Sequence, residues 1–251
     1  MAYIKHTMKE VSLETIDGLL TEWQDEIPWL YHAYSSSSSN ETITFGLRDP
    51  ENPETPPSVL PFQAIRNTSG NSFGSFRITS YYNSTNQSYV SYSSEKMFFS
   101  IGNNEKAWFD TIYITDNLIA FTTDCATSAE RPGYKNIIFV IAKADDRTLC
   151  IIPDVSLGAT DYYDTSLSGA RAISYNTELI IPIPTKDNDY TQTDRLGKKT
   201  ILVPIILNDP NNMIARDVYA VTGKEYPSYL DVLDISDHHF LTNGRIACQL
   251  D

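Results

Sequence analysis

The sequence predicts a mainly β protein: an antiparallel β-sandwich or barrel with one N-terminal amphipathic helix and long irregular loops. Three observations predict it. The aromatic share is 12%, supplied largely by 16 Tyr, and Ser, Thr and Asn are abundant, which is strand and turn composition rather than helix composition. Short runs of β-branched and aromatic residues recur from Phe73 to the end, separated by polar turn clusters. Helical periodicity is clear in one place only, near the N-terminus.

That helix is read from Thr7-Met-Lys-Glu10, which has the form of a capping box, followed by apolar residues at Val11, Ile16, Leu19, Leu20, Trp23 and Ile27. Pro28 ends the pattern. The stripe has to be buried, either on the chain's own sheet, which is the simpler reading, or on a neighbouring subunit. Residues 1–34 are accordingly set apart as an N-terminal helical arm, and residues 35–251 as one β-rich domain. The serine run Ser35 to Asn40 reads as a flexible loop. Thr42 to Gly46 alternates like a half-buried strand, and the proline-rich stretch from Asp49 to Pro61 reads as a long irregular loop.

Hairpins follow. Phe76–Tyr81 and Ser88–Tyr92 flank Asn83-Ser-Thr-Asn86, and Met97–Ile101 continues the series. Phe109–Ile114 and Leu118–Thr122 flank Thr115-Asp-Asn117. Ile137–Ile141 and Thr148–Ile152 are continuously apolar around Asp145-Asp146, which places them at the centre of a sheet or sandwich. A second irregular stretch runs from Asp154 to Ala172. Leu179–Ile183 and Thr200–Leu207 contain Pro182 and Pro204, which point to edges or bulges. Asp217–Thr222, Tyr229–Ile235, a turn at Ser236–His239 and a strand-like ending from Asn243 to Leu250 complete the chain, pinning the terminus into a sheet.

The charge narrows the function. A net charge of −13 repels phosphate backbones, and Arg195-Leu-Gly-Lys-Lys199 is too short a basic run to reverse that, so direct nucleic-acid binding is not expected. No apolar run approaches the roughly 20 residues that span a bilayer, and no signal peptide is read at the N-terminus. Cys125, Cys150 and Cys248 are odd in number and widely spaced, as befits reduced thiols buried in strands of a protein made in a reducing cytoplasm.

The sequence offers no catalytic constellation: no catalytic, cofactor-binding or metal-ligating residue is assigned, and no cofactor is expected. Phosphate-binding glycine loops, the GxSxG elbow and HExxH are absent. His238-His239 beside Asp237 is better explained as a turn than as a metal site, since adjacent strand side chains face opposite ways. Asp124-Cys125 follows a strand but has no base tied to it, Asp187-Asn-Asp189 lacks the glycine and glutamate of a calcium loop, and Asp145-Asp146 reads as a hairpin tip. Tyr81, Tyr82, Tyr89, Tyr92, Tyr162 and Tyr163 suit three uses: sugar stacking, interface anchoring and cross-strand pairing.

In its layout the chain resembles small virion structural proteins of tailed bacteriophages and prophages. The stretches that carry the likeness are the helix ending in Trp23 and Trp29, the hairpin Arg77–Tyr82 leading to Trp108–Ala120, and the ending from Val218–Thr222 through Asn243–Asp251. The resemblance implies a non-enzymatic structural or assembly role in the neck, tail, baseplate or capsid surface of a virion. It also implies many symmetric copies, with other virion proteins and copies of itself as partners. The interface candidates are Ile16, Leu20, Trp23, Trp29, Tyr81, Tyr82, Tyr162 and Tyr163. The long loops at 49–61 and 154–172 and the helix are expected to order on assembly. A receptor- or carbohydrate-binding module with an exposed aromatic surface is the alternative; an enzyme such as a glycosidase ranks behind both.

Overall fold

The computed structural model describes residues 3–7, 13–57, 62–67, 74–83, 88–101, 111–124, 135–145, 148–153, 171–174, 180–182, 192–193, 199–200, 202–206, 214–221, 229–235, 237–244 and 246–251. Along these the chain is mainly β, and every strand pairing is antiparallel.

The N-terminus differs from the helical expectation. Residues Ile4–Thr7 form strand β1, so Thr7 occupies a ladder position opposite Thr111 rather than a helix cap. Helix α1 spans Leu13–Glu22 and buries Leu13, Ile16 and Leu20, the three- and four-residue spacing of one helical face. Its first turn carries Glu14, which suits the positive end of the helix dipole.

The serine run is not a loose loop. Strand β2 (Leu30–Ser36) turns directly into β3 (Asn40–Leu47). The Ser37 hydroxyl accepts from the backbone N–H of Ser39 and of Asn40, at 3.4 and 3.1 Å. Backbone closure comes from Ser37 N–H to the Asn40 carbonyl at 2.8 Å. Short hydroxyl side chains here serve a tight turn, as such residues do by bonding to the nearby main chain.

Strands β4 (Phe62–Asn67), β5 (Gly74–Asn83) and β6 (Ser88–Ile101) extend this hairpin into a five-stranded meander, ordered β2-β3-β4-β5-β6. Strands β5 and β6 pair antiparallel on either side of the expected turn at Asn83–Asn86, of which residues 84–86 lie outside the described residues, and β4 falls where no strand is expected from the sequence. Strands β7 (Thr111–Ile114) and β8 (Leu118–Asp124) make the hairpin expected around Thr115–Asn117. Strands β9 (Lys135–Asp145) and β10 (Thr148–Pro153) make the next one. With β11 (Arg171–Ser174) and β12 (Ile180–Pro182) they form a seven-stranded sheet, ordered β1-β7-β8-β9-β10-β11-β12. The loop expectation at 154–172 therefore gives way to β11 at its end.

Beyond a two-stranded ribbon of β13 (Gln192–Thr193) and β14 (Lys199–Thr200), the chain closes with a third sheet. Its strands are β15 (Leu202–Ile206), β16 (Ile214–Val221), β17 (Asp231–Ile235), β18 (His238–Thr242) and β19 (Ile246–Gln249). Their order is β15-β16-β19-β18-β17. The prolines sit where they do least harm to a ladder. Pro182 lies in the terminal strand β12, and Pro204 lies in the terminal strand β15 at a register shift.

Two expectations at the end of the chain shift by a few residues. His238 and His239 open strand β18 instead of lying in the turn, which narrows to its neighbours with Asp237 at a positive φ of 69°. Asn243-Gly244 is a hairpin turn rather than the start of a strand, with Gly244 at a φ of 79°. The terminus is held between neighbours, since β19 pairs with both β16 and β18.

The core explains the continuous apolar runs. Along β7 to β10 alternate residues belong to different clusters. Ile112, Ile114, Ile119, Phe121, Phe139, Ile141 and Leu149 pack with Leu13, Ile16 and Leu20 of α1 and with Ile43 and Phe45 of β3. Leu118, Ala120, Ile138, Val140, Cys150 and Ile152 pack instead with Val218, Leu241, Ile246 and Cys248 of the third sheet. The seven-stranded sheet is thus the middle layer, covered on one face by α1 and the first hairpin and on the other by the C-terminal sheet. Burial on both faces is what removes the polar alternation from its central strands. Among the described residues the layers form a sandwich of open sheets, each with two terminal strands, rather than a barrel.

Candidate interaction surface

The residues proposed for partner contacts fall into three environments. Ile16 and Leu20 are 1% and 0% exposed, inside the first core cluster, so their apolar surface is taken up within the chain. Trp23 and Trp29 are half-buried against the same cluster. Trp23 meets the His6 ring edge-on with centroids 5.0 Å apart, and Lys143 Nζ lies 5.7 Å from the centroid of the Trp29 ring. Tyr81 and Tyr82 belong to β5, in register with Val90 and Tyr89 of β6; their side chains lie outside the described residues. Tyr162 and Tyr163, with the rest of 154–170, also lie outside them, as do Cys125, Asp146 and Asp187–Asp189.

The two described thiols are structural. Cys150 and Cys248 are buried between the middle sheet and the C-terminal sheet. Burial pushes the Cys150 thiol up to about 12 and raises that of Cys248 as well. Thiols so placed stay protonated and unreactive at neutral pH, because only the thiolate is nucleophilic.

Two histidines tie elements together. His32, on β2, lies 2.6 Å from the Asp17 carboxylate of α1, and its side chain is only 6% exposed. This couple fixes the helix against the hairpin. At the far end of the chain His239 Nδ1 is 2.5 Å from Asp251 Oδ2, its Nε2 is 3.3 Å from Asp234 Oδ1, and its backbone N–H donates to Asp251 at 2.9 Å. Gln249 Nε2 donates to the Asp251 carbonyl at 2.7 Å. The side-chain hydrogen bond to Asp251 raises the His239 imidazole above its ordinary value, and the same bond holds the Asp251 carboxyl below its own. The arrangement is a surface clasp on the last residues. Among the described residues, no group of three or more His, Cys, Asp or Glu side chains is arranged to hold a metal ion.

A different kind of feature stands at the open end of the first hairpin. The register that pairs Leu30 with Leu47 continues one step further, where the Arg48 backbone N–H donates to the Trp29 carbonyl at 2.9 Å. Both side chains carry a buried donor with no acceptor: the Trp29 indole Nε1–H and the Arg48 Nε–H. A buried donor left unmade costs about 1–3 kcal/mol, so two at one point require an explanation. Trp29 is among the interface candidates read from the sequence, and Arg48 is not. The signal was available, because counting outward from a tight Ser37–Asn40 turn sets Arg48 opposite Trp29.

Comparison with known proteins finds no family model, no curated protein and no solved structure that matches this chain.

Proposed function

We propose that the chain is a non-enzymatic structural component of a phage particle, acting through protein–protein contacts in its neck, tail, baseplate or capsid surface. The observation that carries the reading is strand β6. It is 14 residues long and terminal in its sheet, with β5 as its neighbour among the described residues. A long terminal strand offers a row of main-chain donors and acceptors to a strand from another subunit. The net charge of −13 supports the same reading, since like-charged subunits stay dispersed until complementary surfaces meet. The buried thiols and the histidines engaged by Asp17 and Asp251 support a structural rather than a chemical use of these side chains.

Light scattering on a size-exclusion column tests the assembly half of the proposal. A discrete oligomer is expected, and a strict monomer at every concentration, alone and with co-expressed neighbours, would refute it. Antibody-gold labelling of particles released from the encoding host tests the other half. Labelling at one level of the particle is expected, and unlabelled particles would remove the phage assignment.

A further inference from the structure

We propose that Trp29 and Arg48 form a carboxylate-binding site at the open end of the β2–β3 hairpin. The indole Nε1–H and the guanidinium Nε–H are both buried and both lack an acceptor. Trp29 and Arg48 face each other across the end of the ladder, and directly opposed residues present their side chains on the same face with Cβ atoms about 5 Å apart. Two N–H donors on opposed residues can be met by the two oxygens of one carboxylate, and a guanidinium favours that ligand above neutral acceptors. The Lys143 ammonium over the Trp29 ring adds a second positive charge beside the donors.

Neighbouring acids are engaged elsewhere. Asp49, next to Arg48, accepts from the backbone N–H of Glu51 at 2.9 Å and from Asn52 Nδ2 at 3.2 Å, which turns its carboxylate into its own loop. Asp17, on the helix beside β2, is likewise held by His32. In this proposal the missing acceptor comes from outside this face: a free small carboxylate, or an Asp or Glu side chain of a second copy of this acidic chain. The site stands independently of the phage assignment.

The test follows the Trp29 indole N–H resonance, assigned with Trp29→Phe, while sodium acetate is titrated against sodium chloride at matched ionic strength. A saturable downfield shift with acetate is expected, absent in Arg48→Met and weakened in Arg48→Lys, with the Trp23 indole unmoved as the sign of an intact fold. No shift beyond the chloride control would overturn the proposal and leave buried water as the acceptor. An equal shift in folded Arg48→Met would overturn it too. A dilution series without acetate separates the sources: a concentration-dependent shift of the same resonance identifies a second copy, and a constant one identifies the free carboxylate.

Discussion

Ile138 and Ile141 lie three residues apart on β9, are each 0% exposed, and point to opposite faces of the middle sheet. Ile138 packs towards the C-terminal sheet, and Ile141 packs towards α1 and the first hairpin. Substituting each by alanine removes the same three carbons, which at about 0.8 kcal/mol per methylene gives roughly 2.4 kcal/mol of lost transfer energy. The cavity left in a rigid core adds to this, bringing each substitution to about 2–5 kcal/mol. A sheet with one wet face would charge that cost for one of the two only, the other staying within about 0.5 kcal/mol of wild type. The two sites are roughly 10 Å apart along the strand and share no cluster, so their effects are expected to add. Equilibrium urea unfolding of the two single variants measures this directly, with unchanged slopes confirming that stability alone has moved. If either variant costs less than about 1 kcal/mol, the middle-layer architecture is refuted for that face.

Three further outcomes are expected. Gly18 is exposed within α1, and a Cβ added there meets nothing within 4 Å, so Gly18→Ala should stabilise the chain by about 0.5–1 kcal/mol in the same unfolding assay. The His239 contribution is present below the unfolded-state value of about 6.5 and is lost as pH rises through its raised folded value. The Asp251 contribution is present above its unfolded value and is lost as pH falls through its lowered folded one. His239→Ala should therefore lower Tm near pH 6, and the deficit should close well into the alkaline range; a deficit independent of pH would show that the clasp is not electrostatic. In a Cys125→Ser background, Cys150 and Cys248 should resist a thiol reagent near pH 8 until urea is added, and rapid labelling of the native protein would contradict their burial.

Several features were legible in the residues because they are local. The Thr115–Asn117 turn is flanked by strands whose composition leaves little choice, β9 and β10 pair on either side of the expected tip at 145–146, and the prolines at 182 and 204 fall in terminal strands. Other local readings went astray where a neighbour in space decided the outcome. Thr7 has the pattern of a cap, yet β7 supplies it with a ladder partner, and a strand paired along its length outweighs a single capping bond. The serine run has the composition of a linker, but the partner strands on either side draw it into a turn stitched by Ser37.

By itself the sequence determined the mainly β class, the helix near the N-terminus and the places where the chain must turn, since all three follow from side-chain pattern and turn chemistry within a few residues. Only the tertiary structure decided that the middle sheet is buried on both faces, and that Ile16 and Leu20 are covered by the chain itself. It also brought Trp29 and Arg48 together as two donors without an acceptor. Those are statements about which faces meet across long stretches of chain, and a one-dimensional pattern records that a side chain must be buried without recording against what.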